Sequence, residues 1–477
     1  MTYHARQARK PSLLPLALLG AALLASLVTE DWIAGVAVII LWAGWHYLRP
    51  EVGPPVLSLA FSLQWVQVVG GIFYCAVTGR LLPTIYETDY RPMVLIGLGS
   101  LVAFLAGLRV GLHLLRSVNS QSVSAPICSW PTLLQLYIGS AVLNGFLVEL
   151  AWRFPQLNQP ILVFSLCRYG LMFLIFRRLT GPPVRWGWMG VILTGEILMG
   201  FTGFFAEFRD VLMIAALALL ERFDRRQLRH WLGLGAMATL TLVTALVWTS
   251  IKAEYRGELT SGALSDSRLE RLERVASLTT QSLSTDPAAM WTDADRLMER
   301  LWAVYYPALA VRRVPAVLPF ANGAILGSAI WHILTPRILF PDKPNPPSES
   351  ETVRKYSGVW VAGPEQSTTI AFGYVAESYV DFGIPLMFVP IFAFGLLMGA
   401  AYQAFLRWIH HQELAVAFVT VVFWLPLSQF DRSWLKMLGL SGTMILYLGA
   451  AAIILDRYLA AQRLRARRLT PQRVAGA

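Results

Sequence analysis

Thr335-Pro336-Arg337-Ile338-Leu339-Phe340-Pro341-Asp342-Lys343-Pro344 opens the stretch on which the fold turns. Phe372-Gly373-Tyr374-Val375-Ala376-Glu377-Ser378-Tyr379-Val380-Asp381-Phe382-Gly383 closes it. Between them lies a polar loop, rich in Ser and Pro, that carries Arg354 and Lys355. Long apolar runs stand on both sides. A lipid-facing segment cannot carry this density of cations, carboxylates and chain-breaking prolines. The stretch therefore reads as a working surface, held at one face of a membrane by the helices around it.

The 477 residues are 56% hydrophobic and 14% charged, against roughly 25% charged in ordinary soluble domains. Several apolar runs reach about 20 residues, enough to cross roughly 30 Å of hydrocarbon. The expected class is all-α, a polytopic membrane protein. The run Ser12–Val28 follows Arg6, Arg9 and Lys10, but a second run starts at Trp32, so it reads as a retained first helix rather than a signal peptide. The net charge of +11 lies mostly in short loops and does not call for nucleic acid. The three cysteines, Cys75, Cys128 and Cys167, are scattered and show neither metal spacing nor a disulfide framework. No metal or other cofactor is expected.

About twelve spans are predicted: 12–29, 32–48, 55–78, 93–115, 131–152, 160–177, 186–205, 207–222, 231–251, 384–407, 413–430 and 436–458. Placing both termini in the cytoplasm puts Arg177, Arg178, Arg185, Arg222, Arg225, Arg226, Arg229 and the arginine-rich tail inside, as cytoplasmic loops require. Four regions follow: transmembrane helices in 1–251, an outer loop in 252–369, transmembrane helices in 370–458 and a basic tail in 459–477. The outer loop holds thirteen basic and thirteen acidic residues. Leu269, Leu272 and Val275 repeat at helical spacing, and a second helix is predicted to start at Asp286-Pro287. Pro315, Pro319, Asn322, Gly323 and Gly327 argue that 314–334 lies in the interface or re-enters rather than spans.

Arg168 and Glu196 fall at matched depth, roughly 12–14 Å inside consecutive spans, and should pair. That pair has a structural and a transport reading, and its depth below the outer surface favours the structural one. Arg209 sits in a minimal connection between two spans, where a guanidinium is costly without an anion. It has two readings of equal weight: a phosphate ligand, or the partner of Glu207 or Asp210. Arg337, Lys343, Arg354 and Lys355 are further cations on the same side, with a solvated face paired to Glu349 and Glu351 as the alternative. Tyr374, Glu377 and Asp381 recur at i, i+3, i+7 and share one helical face. A carboxylate in a partly dry site can act as a general base, which makes Glu377 and then Asp381 the catalytic candidates. His332 is a lesser candidate base.

Pro336-Arg337, Pro341-Asp342-Lys343-Pro344 and Gly373-Tyr374…Glu377-Ser378-Tyr379-Val380-Asp381-Phe382-Gly383 together resemble the oligosaccharide repeat-unit polymerases of the O-antigen polymerase type. These motifs cover about 50 residues, and the remaining likeness is one of layout. The resemblance implies a glycosyltransferase of the bacterial inner membrane working at the periplasmic face. Its donor and acceptor would be oligosaccharides linked through pyrophosphate to a polyprenyl lipid. Membrane lipids and a regulator of chain length are further implied partners. Arg209, Arg337, Lys343, Arg354 and Lys355 would hold the pyrophosphate, and Tyr374 and Tyr379 the sugars. A ligase of the same superfamily and a flippase or transporter are the rival readings.

Overall fold

The computed structural model describes residues 14–50, 53–82, 89–115, 123, 126–154, 158–181, 183–203, 208–262, 267–283, 287–337, 339–340, 342–366 and 368–469. Glu207, Asp286 and Pro341, named above, lie outside these residues, as do Arg6, Arg9 and Lys10. The described chain is helical, with no strand. Its first half comprises α1 (Leu14–Thr29), α2 (Trp32–Leu48), α3 (Val56–Thr78), α4 (Arg91–Leu114) and α5 (Trp130–Arg153), followed by α6 (Asn158–Ser165), α7 (Cys167–Leu179), α8 (Trp186–Phe201), α9 (Phe208–Glu221) and α10 (Leu228–Ser261). The segment beyond it carries α11 (Arg268–Leu283), α12 (Pro287–Leu301), α13 (Tyr305–Arg313), α14 (Ala324–Leu334), α15 (Glu349–Ser357) and α16 (Tyr374–Phe382). Then come α17 (Phe388–Trp408), α18 (Gln412–Leu427) and α19 (Trp434–Thr443), a π-helical turn at Met444–Leu448, and α20 (Gly449–Leu469).

Among the described residues, six helices are long and apolar enough to cross a membrane: Val56–Thr78, Arg91–Leu114, Gln159–Leu179, Leu228–Leu259, Phe388–Trp408 and Trp434–Arg463. Five shorter apolar helices accompany them, α14 among them. With 11 residues α14 is about 16 Å long, too short to cross. α10 runs on past the apolar part of its sequence, so its last turns stand outside any bilayer.

The tightest contact joins α4 to α17. A Cβ on Gly107 would lie 2.2 Å from the Phe392 carbonyl oxygen, and one on Gly111 the same distance from that of Leu396. A Cβ on Gly395 or Gly399 would lie as close to the Phe104 or Leu108 carbonyl oxygen, at 2.5 and 2.3 Å. Two glycine pairs, each four residues apart and facing one another, let the backbones meet. This is how helices gain dispersion energy in lipid, where no hydrophobic drive exists between them.

The sequence also suggests that the helix of Glu377 leads into the next span. Instead α16 stops at Phe382 and α17 starts at Phe388. Gly383 (φ 62°) makes the turn, and Pro385 follows it. The turn leaves α16 as a short element inside the bundle end, wholly buried over Tyr374–Asp381.

Gly111→Val and Gly399→Val should each destabilise the protein by more than the roughly 1–3 kcal/mol of ordinary overpacking, because the obstruction is backbone. Gly235→Val on α10, where a Cβ meets nothing within 4 Å, should be neutral. Thermal unfolding of the purified variants in detergent measures this.

Candidate functional site

The site is built on the connector Ser428-Gln429-Phe430-Asp431-Arg432-Ser433 between α18 and α19. Its backbone is held from below by α3. Gln64 donates to the Leu427 carbonyl (2.7 Å) and Gln67 to that of Ser428 (3.2 Å), while the Gln67 side-chain oxygen Oε1 accepts from the Phe430 amide (2.7 Å). From the side, the Tyr374 amide donates to the Arg432 carbonyl at 2.6 Å. Gly373 makes that approach possible, since a Cβ there would lie 2.4 Å from the Phe430 carbonyl. Ser433 caps α19, and its hydroxyl bonds Glu349, which also pairs with Lys436. A buried polar connector needs each of these bonds, because an unmet backbone group there costs as much as a lost hydrogen bond.

Above the connector opens a cavity of about 940 Å³. Arg432 and Lys436 come from the connector and α19, His332, Arg337 and Lys343 from α14 and the chain after it, and Arg168 from α7. Asp431 is the one acidic residue among the lining groups. Arg337 is held by Asn345, Lys343 donates to the His332 carbonyl (2.6 Å), and Arg432 is held by Gln429. None of these three partners is a carboxylate. Burial, and then the charge of Arg209, hold the Arg432 guanidinium below the usual arginine range; burial and Arg337 do the same to Lys343. His332 is pushed below the ordinary histidine value by burial and by Lys343 and Arg337, which keeps its imidazole neutral at neutral pH.

Away from the cations the wall turns largely apolar. Leu162 and Val163 line it from α6, Leu166 from the turn before α7, and Leu435, Leu440 and Tyr447 from α19 and the π-helical turn, with Asn144, Gln159 and Ser165 among the polar lining groups. Lys436, Leu440, Thr443 and Tyr447 follow one helical face, so the wall runs about 16 Å from the cationic end along that helix. The cavity can hold a molecule with an anionic head and an apolar body.

The site residues named from sequence divide sharply. Arg337, Lys343 and Arg168 line the cavity. Arg209 lies within electrostatic reach of Arg432, although its own contact is with Asp210 at 3.5 Å. Arg354 is spent on its own loop, donating to the Val361 carbonyl (2.8 Å), pairing with Glu365 and lying over Trp360. Lys355 lies over the ring of Tyr356. Neither lines the cavity.

Tyr374 and Tyr379, proposed for sugars, are buried. Their hydroxyls donate to Gln64 (2.7 Å) and the Val314 carbonyl (3.0 Å). Asp381 accepts from the Ile325 and Leu326 amides at 3.0 and 2.8 Å and so caps α14. Glu377 accepts the Trp434 amide at 2.6 Å at the start of α19. The i, i+3, i+7 face thus points inward, where its groups fix helix ends and tyrosine rings. Arg168 and Glu196 form an ion pair that Tyr137 joins through its hydroxyl. The pair is not sealed off below the site, because Arg168 reaches the cavity wall.

Arg432 and Lys436 are not among the candidates named from the sequence. The signal that could have found them is the one used for Arg209: a cation in a short connector between two apolar helices, beside Phe430 and Trp434. No protein-family model matches this chain, and no curated protein or solved structure is similar to it.

Burial, opposed by the Trp434 amide, raises the Glu377 carboxyl to about 8. An acid whose pKa is higher folded than unfolded stabilises fully below its unfolded value and loses that contribution as pH rises through the folded value. The wild-type protein should therefore lose thermal stability between pH 4.5 and about 8 relative to Glu377→Gln, whose amide mimics the protonated acid, and the difference should level off above that. Parallel melting curves across that range would contradict the assignment.

Proposed function

We propose that the protein is a glycosyltransferase of the bacterial inner membrane. It would join polyprenyl-pyrophosphate-linked oligosaccharide repeat units at the outer face. The observation that carries this reading is the cavity's division into a cationic end and an apolar wall. Such a division suits a pyrophosphate attached to a long isoprenoid. In this reading α1, α2, α5, α8, α9 and α18 complete twelve crossings with the six long apolar helices, in a GT-C-like arrangement. The segment 262–373 then lies outside. Reporter fusions after Arg229 and near Ser282 should give cytoplasmic and outer signals respectively.

The reaction places the acceptor hydroxyl oxygen on the anomeric carbon of the donor. The bond from that carbon to the pyrophosphate oxygen breaks, and its electron pair leaves on the phosphate. Arg337, Lys343 and Arg432 face the charge that develops, preplaced and without carboxylate partners of their own. The acceptor proton goes to His332, whose imidazole is kept neutral by burial and the neighbouring cations. Glu377 and Asp381 take no part in proton transfer in this scheme, because both are engaged as helix caps. The same cavity and base would serve a second reading, a ligase that passes the glycan to a different acceptor. A deletion strain separates them: single repeat units indicate the polymerase and long unattached chains the ligase.

Arg432→Lys and Arg337→Lys keep the charge but lose the planar fork that matches phosphate oxygens. Each should shorten the polymer at normal protein abundance. His332→Ala should lower the rate by about 10²–10⁴-fold. Because burial and the neighbouring cations lower His332 from the ordinary histidine value of 6.5, wild-type activity should persist through that pH and fall only below it. Unchanged polymer in all three variants would sink the assignment of the cavity.

A further inference from the structure

Each cation lining the cavity has a partner, but the one carboxylate there has none. Arg168, Arg337, Lys343, Arg432 and Lys436 are all held by protein groups. Asp210, Asp431 and Glu349 lie within electrostatic reach of the Arg432 guanidinium. Asp210 meets Arg209 at 3.5 Å, and Glu349 pairs with Lys436 and accepts from Ser433. Asp431 lines the cavity and is exposed. Among the described residues its carboxylate has neither an ion pair nor a hydrogen bond.

The backbone that carries this carboxylate is fastened on both sides. The Gln67 side chain accepts from the Phe430 amide at 2.7 Å, and the Tyr374 amide donates to the Arg432 carbonyl at 2.6 Å. A Cβ on Gly373 would lie 3.0 Å from the Asp431 Cα, so the chain there is packed against the turn before α16. Asp431 is therefore set in place and left without a donor.

A free carboxylate weakens an anion site, because it repels the phosphate that the cations attract. What it can do is accept. An ionised carboxylate takes hydrogen bonds on both oxygens and gives none, so it suits a neutral group rich in O–H donors. Adjacent Cα atoms are about 3.8 Å apart, so a phosphate held by Arg432 brings the group attached to it to Asp431. The cavity, at about 940 Å³, is at the upper end of the roughly 300–1,000 Å³ of ligand pockets and has room for that group.

We infer that Asp431 binds the sugar attached to the pyrophosphate, accepting hydrogen bonds from its hydroxyl groups while Arg432 holds the phosphate. This rests on the function proposed above. It gives the site a residue that selects glycosylated over bare polyprenyl pyrophosphate.

The test uses the full-length protein in nanodiscs and measures binding of undecaprenyl pyrophosphate, bare or carrying glucose, galactose or N-acetylglucosamine. Wild type should prefer at least one glycosylated lipid to the bare one. Asp431→Asn should reduce that preference about tenfold, the worth of a hydrogen bond to a charged group. It should bind the bare lipid at least as tightly as wild type, because a like charge is gone. A merely structural role would weaken both lipids alike. Asp431 is exposed and unpaired, so its variant should fold as wild type does. Arg337→Gln should weaken every lipid and leave the preference in place. No preference in wild type, the same preference in Asp431→Asn, or equal weakening of bare and glycosylated lipids in that variant would overturn the inference. In each of these cases the proposed function stands if Arg337→Gln still weakens binding. Unchanged binding by Arg337→Gln removes the cavity as the donor site, and the inference with it.

Discussion

The connector 428–433 lies among helix ends with Ser428, Phe430 and Ser433 buried, and the structure around it follows from satisfying its backbone. Gln64 and Gln67 rise from α3 to meet it, and the turn before α16 places the Tyr374 amide on the Arg432 carbonyl. These bonds share side chains. Gln64 serves both the Leu427 carbonyl and the Tyr374 hydroxyl. Tyr374 in turn packs its ring against Phe430 and Trp434. Removing one partner would leave several buried groups unmet at once, so α3, α16, α18 and α19 hold one another in a single arrangement.

Charge is distributed unevenly around that frame. At the opposite end of the bundle, Arg177 pairs with Glu221 and Arg178 with Glu413 at 2.9 Å each. Buried pairs of this kind fix geometry more than they add stability. At the cavity, Arg337, Lys343 and Arg432 are held by an amide, a backbone carbonyl and another amide. A neutral acceptor orients a cation without cancelling its charge. Arg168 and Lys436, which also line the cavity, pair with Glu196 and Glu349, so the charge left uncancelled there is that of Arg337, Lys343 and Arg432.

Much of this was legible in the sequence, and what was missed shares one cause. Apolar runs gave the helical class, and matched depth put Arg168 opposite Glu196. Prolines beside Arg337 and Lys343 marked the chain that lines the cavity. The spacing of Tyr374, Glu377 and Asp381 showed that they share a face. Spacing cannot say what a face meets, however, and this one meets the starts of α14 and α19. Asp381 answers the Ile325 and Leu326 amides, groups whose exposure depends on a helix ending elsewhere in the chain. Arg432 was overlooked for the same reason: its role comes from the partners of its connector, which lie on α3 and α16.

Arg354 shows how a residue can serve the site without touching it. Its guanidinium holds the Val361 carbonyl and Glu365, and its own helix begins with Glu349, the partner of Ser433 and Lys436. In the same segment Ser350 accepts from the Ile370 amide at 2.9 Å and donates to the Ala362 carbonyl at 2.8 Å. These bonds fold 349–370 into a compact unit whose far edge, at Thr369 and Ala371, forms part of the cavity wall. One end of the unit neutralises Lys436 and the other shapes the opening. The cation that looked like a ligand therefore acts through the backbone, and the wall and charge of the cavity are completed only when this unit docks against α19.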